Sequence, residues 1–121
     1  MYGYYYRAGK TWEDVKLWEA TKDNKVEDYP IIDFMQQDTY WNIGSFKDFA
    51  EEMKSVLKAD YSYPIIIDEQ GDLVDGAHRI VHAYLDGIET IKAVTIRAEQ
   101  FPEPDYDEWD TLHNSNKHET Q

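Results

Sequence analysis

The chain of 121 residues has no cysteine, which excludes disulfides, thiolate metal sites, iron–sulfur clusters and cysteine nucleophiles. Positive charge is scarce: 12 lysines and arginines stand against 25 aspartates and glutamates, a net charge of -13. A surface that wraps DNA needs cations to replace phosphate counterions, so non-specific binding to duplex is disfavoured. Arginine occurs only as Arg7, Arg79 and Arg97, leaving three candidates for any site that needs a planar, permanently charged phosphate ligand. Long apolar runs are missing too. The longest aliphatic run is Ile65-Ile66-Ile67, and the N-terminus is tyrosine-rich where a secretory signal would be basic and then apolar. The expectation is a soluble, cytoplasmic protein with no membrane partner.

Aromatic and aliphatic residues are plentiful. With 41% hydrophobic and 15% aromatic residues, including 10 tyrosines and 4 tryptophans, the chain can bury a core large enough to offset its conformational entropy. Its length suits one domain, assigned to residues 1–110, followed by a flexible polar tail, 111–121 (TLHNSNKHETQ).

Residues 1–10 show no usable period, and their tyrosines are read as packing residues. Thr11, with Asp14 three places on and Trp12, Val15 and Trp18 at near-helical spacing, predicts a helix over 11–21. Residues 26–33 (VEDYPIID) read as a short strand, with Pro30 at an edge or end, and 36–44 as a loop carrying Tyr40 and Trp41. Ser45 to Lys58 is the clearest helix: Ser45 is a good N-cap, and Phe46, Phe49, Ala50, Met53, Val56 and Leu57 form one apolar stripe. A buried strand at 64–68, a turn through Gly71, a short strand at 73–75, a helix at 77–86 that stops at Gly87, and a strand at 90–97 follow. Prolines 102 and 104 argue against a strand in 99–110, read as a surface loop with Phe101, Tyr106 or Trp109 pinned to the body. The predicted class is α+β, a small mixed sheet with two or three helices.

Chemistry concentrates where the strand ends at Asp75, Gly76 turns the chain, and a helix opens with Ala77, His78 and Arg79. The first amides of a helix lack internal partners, the helix dipole adds partial positive charge, and a glycine admits close approach of an anion. Arg79 can offer a bidentate fork to phosphate, His78 a donor that depends on protonation, and Asp75 can hold a metal or orient Arg79. On spacing alone a plainer account stands equally: Asp75 as a turn residue, Gly76 needed only for a positive φ, and Arg79 paired with a surface acid.

The stretch 64–96, PIIIDEQGDLVDGAHRIVHAYLDGIETIKAVTI, together with the helix at 45–58, resembles the ParB/sulfiredoxin superfamily in the order of its elements and in a glycine-plus-basic motif that opens a helix. The resemblance covers roughly half the chain. It implies a nucleotide bound by its phosphates at Gly76, Ala77, His78 and Arg79, with ATP or ADP and magnesium as cofactors, CTP as the alternative nucleotide, Asp75 as metal ligand, and Asp75, His78 and Arg79 as candidate catalytic residues. Asp-Gly-Ala-His-Arg is closer to the Asp-Gly-Thr-His-Arg of the ParB-like serine kinases and the Gly-Cys-His-Arg of sulfiredoxin than to the Gly-Glu-Arg-Arg of partition proteins. Ala77 stands where sulfiredoxin keeps its catalytic cysteine, so sulfinic-acid reduction is excluded, and it removes the hydroxyl of the kinase motif. No helix-turn-helix pattern follows residue 97, which argues against a DNA-partition clamp.

His78 and His82 have the i,i+4 spacing of a metal pair but lack a recognisable third ligand. Glu51, Glu52, Glu69 and Asp72 read as a solvated acidic face, and Tyr40 and Trp41 as packing residues that could also stack a base. The implied function is a nucleotide-binding protein, with phosphoryl transfer or nucleotide hydrolysis as its chemistry. The alternative is a non-enzymatic acidic interaction protein, a DNA mimic or inhibitor of a basic partner, using Tyr106 and Trp109 among the acids of 103–110. A metal-dependent nuclease is the weaker alternative.

Overall fold

A computed structural model describes residues 4–39 and 41–108. At its centre lies strand β4 (Ile65–Ile67), all three side chains buried. Successive side chains of a strand point to opposite faces. Ile65 and Ile67 accordingly join one apolar cluster, with Ile31, Phe34, Ile80, Ala83, Ile91 and Ala93, and Ile66 joins another, with Trp12, Leu17, Val74, Val94 and Ile96. One strand thus holds two cores together.

Around it run β3 (Glu27–Pro30), β5 (Leu73–Asp75) and β6 (Thr90–Thr95), in the order β3-β6-β4-β5. β4 pairs antiparallel with β5 and parallel with β6, so the sheet is mixed. Pro30 ends the edge strand β3, where a missing N–H costs no ladder bond. The helix α4 (Ala77–Leu85) crosses from β5 to β6 and contributes Ile80 and Ala83 to the first cluster. Against α4 packs α3 (Phe46–Lys58), whose N-cap Ser45 accepts a hydrogen bond from the Asp48 amide as its sequence predicts. The second face is covered by α1 (Asp14–Thr21) and by a separate sheet.

That second sheet was not visible in the sequence. β1 (Tyr4–Arg7) and β2 (Lys10–Glu13) form a hairpin, and β2 also pairs with β7 (Tyr106–Asp107). The expected helix start at Thr11 is therefore corrected: Thr11 lies in β2, opposite Tyr6 and Tyr106, and the helix begins at Asp14. Ala8 and Gly9, at φ 53° and 80°, make the turn that lets the tyrosine-rich segment fold back as a strand. The strand expected over 26–33 stops at Pro30, and Ile32–Met35 forms a short helix, α2. The 99–110 segment is also corrected. Its prolines are followed by the two residues of β7, and a single 3-10 turn occupies Ala98–Gln100. Phe101 is pinned as expected, packed against Tyr5 and Trp12. Trp109 and the tail 111–121 lie outside the described residues, as does Tyr40. Two sheets and four α-helices make the α+β class, with no described helix long and apolar enough to cross a membrane.

The stripe of α3 behaves unexpectedly. Val56 is fully buried, but Phe46, Phe49 and Leu57 are exposed.

The C-terminal segment is fastened by a charge. Lys16 donates to Asp105 at 2.7 Å and the Glu13 amide donates to the same carboxylate at 2.8 Å, which hold the Asp105 carboxyl below its ordinary value of 3.8. A depressed carboxyl contributes stability above its unfolded pKa and loses it as pH falls through the folded one. Acidification through and below the ordinary carboxyl value of 3.8 is expected to release β7 from β2, read as a lower protection factor, exchange being corrected for its intrinsic pH dependence, at the Glu108 amide that bonds the Gly9 carbonyl. Asp105→Asn should remove that acid dependence, and an unchanged profile would refute the assignment.

Candidate functional site

The first turn of α4 is open. Gly76 is its N-cap with φ 122°, and no side chain caps the helix. The Ile80 amide bonds the Gly76 carbonyl at 3.0 Å, the first bond of the helical ladder, so the amides of Ala77, His78 and Arg79 have no acceptor within the helix. Their partial positive charge is concentrated at the end of β5. Gly76 is needed for two reasons. L side chains rarely adopt its φ, and a Cβ there would fall 2.4 Å from Ile65 Cγ2 and 2.9 Å from Ile65 Cβ. The turn therefore sits directly on the central strand.

Arg79 is committed inward. Its Nη1 donates to the Pro64 carbonyl at 2.6 Å and its Nη2 to Asp75 Oδ2 at 2.7 Å. The pair is largely buried, with side chains 15% and 11% exposed. The same carboxylate oxygen accepts the indole N–H of Trp18 from α1. Arg79 thus links the chain just before β4 to the end of β5, and Asp75 orients it. The plainer account of Asp75, Gly76 and Arg79 is satisfied by these contacts, except that the acid is largely buried and only four residues away.

His78 is the polar side chain of the turn that reaches solvent. Its Nε2 lies 2.7 Å from Glu52 Oε2 of α3, and the Trp41 ring stacks on it at 4.8 Å and 20°. With Glu52 ionised, Nε2–H donates, so a neutral His78 leaves Nδ1 as an acceptor and only the protonated ring offers a second donor. Glu52 therefore does not belong to the solvated face where the sequence placed it, and Trp41 is neither a core residue nor a free platform. Among the other acids grouped with it, Glu51 is exposed beside Lys54, and Glu69 accepts from the Ala98 amide at 2.8 Å.

The metal readings find little support in the donor geometry. His82 is four residues from His78, but its Nδ1–H donates to the Ala59 carbonyl at 2.8 Å and its Nε2 lies 3.5 Å from Asp86. No group of three His, Asp or Glu side chains suited to a metal occurs among the described residues. Asp75, expected as a metal ligand, has one oxygen already shared by Arg79 and Trp18. A protein-held magnesium does not fit these residues.

Three parts of this neighbourhood escaped sequence reasoning: Glu52, Trp18 and the Pro64 carbonyl. Each meets the turn across a gap of 15 to 57 residues, and none carries a local signal beyond its place on a helix or before a strand. Asp68 was missed too. It is a buried turn carboxylate that accepts the Gln70 and Asp72 amides at 2.9 and 3.0 Å, and the spacing Asp68 to Gly71 was the available sign of it. A concavity of about 540 Å³, lined by Tyr29, Asp33, Gln37 and Asp72 among others, is open and does not include the α4 turn. Open helix amides, with a histidine beside them, can take an anion with little reorganisation.

Compared with protein families, with curated proteins and with solved structures, the chain matches none.

The clamp predicts a stability pattern. Arg79→Ala leaves Asp75 and the Pro64 carbonyl without their cation and should cost about 2–4 kcal/mol in denaturant unfolding. Arg79→Lys should recover only part of it, because an ammonium lacks the planar fork. Gly76→Ala should cost a comparable amount, about 2–4 kcal/mol, from clash and backbone strain together. Gly87→Ala, where open space surrounds the new Cβ at φ 77°, should cost about 1 kcal/mol. Equal losses at the two glycines would refute the close approach to Ile65.

Proposed function

We propose that the chain is a nucleotide-binding protein of the ParB/sulfiredoxin type, holding phosphate at the Gly76–Arg79 turn. The observation that carries the reading is the uncapped first turn of α4, with three amides lacking an intrahelical acceptor beside a half-exposed histidine. In this reading the amides of Ala77, His78 and Arg79 grip the phosphate oxygens, and Gly76 lets the anion approach the backbone. His78 adds a donor when protonated. Arg79 is a positioning residue, whose buried charge lies just behind the turn while its guanidinium keeps the turn in place. Trp18, bonded to Asp75 and 39% exposed, and Trp41, stacked on His78, offer aromatic surface at the turn for a base to stack on.

ATP or ADP is the preferred ligand and CTP the alternative. Magnesium, where needed, would come bound to the nucleotide, since the side chains do not form a cage for it. For phosphoryl transfer or hydrolysis, the acid–imidazole pair beside the turn is Glu52 and His78. The competing reading, an acidic mimic acting through 103–110, gains no specific observation among the described residues 103–108: Asp105 is bound to Lys16 and Glu13, and Tyr106 and Asp107 pair with β2. Nuclease chemistry meets the same lack of a metal cage among the described residues, and the net charge of -13 is adverse to it.

Ala77→Asp tests the turn directly, because an acid in the first turn suits the helix dipole but repels a phosphate. Calorimetry with ATP, ADP and CTP in magnesium buffer should show binding to the parent chain, weakened at least about tenfold by Ala77→Asp, the order of the electrostatic effect expected. The unfolding midpoint should be little changed. Absence of heat for all three nucleotides, or equal affinity in the variant, would overturn the proposal.

A further inference from the structure

Helix α3 carries an apolar surface that no other described element covers. Phe46 is 96% exposed, Phe49 51% and Leu57 62%. At 100° per residue these side chains and the half-buried Met53 fall on one arc, a seam about 16 Å long. Its two flanks differ. On one, Val56 is buried and Glu52 bonds His78 of α4. On the other, Lys47, Lys54 and Lys58 recur at positions i, i+7 and i+11, which places three of the chain's 12 bases in a line beside the seam. Lys54 lies 3.7 Å from Glu51 at the surface. Lys47 and Lys58 pair with no acid among the described residues.

We propose that this face of α3 docks an acidic amphipathic helix of a partner protein, with apolar side chains spaced three and four apart and Asp or Glu along one flank. The seam supplies the burial, and the one-sided lysines set orientation and partner sign. A second copy fits less well. In an antiparallel two-fold pairing like flanks meet, so lysines would face lysines, and both molecules carry -13. An anionic lipid surface would attract the lysines but repel the rest of the molecule.

The test uses two synthetic helical peptides of about 18 residues with the same leucine seam, one with a glutamate flank and one with a lysine flank. Titrated into the full chain, the glutamate peptide should bind saturably and at least about tenfold tighter than the lysine peptide, with amide shift changes confined to α3 and its neighbours. Phe46→Ser with Leu57→Ser should abolish binding without lowering the unfolding midpoint, since both side chains are exposed. Lys47→Glu with Lys58→Glu should reverse the order of the two peptides. No binding, equal binding of both peptides, or shifts elsewhere would overturn the proposal. Concentration-dependent dimerisation, or flotation with anionic vesicles, abolished by Phe46→Ser would equally overturn it, assigning the seam to a second copy or to a membrane.

Discussion

The structure depends on the burial of β4 on both faces. Three consecutive isoleucines, each at most 2% exposed, feed two separate cores, so each core excludes water from the other's strand. Removing a strand this central would leave α4 without a sheet to lie on and the β1–β2 hairpin without a face to cover. The β-branched run also stiffens the backbone at the point where Gly76 presses on Ile65. The first turn of α4 therefore rests on a fully buried residue, Ile65.

Arg79 provides the polar counterpart of that contact. A strand with no polar side chains cannot fasten what precedes and follows it, and the guanidinium does this with two hydrogen bonds, one to the Pro64 carbonyl and one to Asp75. Trp18 adds a third element by donating to the same carboxylate from α1. Charge is thus used sparingly inside a strongly acidic protein: a single largely buried ion pair keeps the turn in register, and the uncapped amides supply most of the positive potential that an anion would meet.

Local signals were legible where the residue type leaves one choice. Ser45 capped α3, the isoleucine run was buried on both sides, Gly71 and Gly87 took positive φ, and Gly76 opened α4. The hairpin of 4–13 was not legible, because tyrosine suits a half-exposed strand and a packed loop alike, and the Ala8–Gly9 turn lacks the usual asparagine or aspartate. The pairing of β2 with β7 joins residues almost a chain length apart, beyond any local pattern. At the α4 turn, the sequence gave Arg79 an outward task and placed Glu52 on a solvent face, whereas the guanidinium bonds Pro64 and Asp75 and Glu52 bonds His78. Whether a charged side chain points out or in depends on partners that fold in from elsewhere, here Pro64, Asp75 and α4 itself.

The double demand on Gly76 bears on how this turn would change over evolutionary time. Asp75, Gly76 and Arg79 are all tied to folding, so a descendant whose turn bound nothing would still keep them, under selection for stability alone. Position 77, whose methyl makes no polar contact, would be freer to drift than His78, whose imidazole is tied to Glu52 and Trp41. In any set of related chains, a record of the proposed anion binding would therefore lie at position 77, while the three residues that stand out most on first reading would record only that the protein still folds.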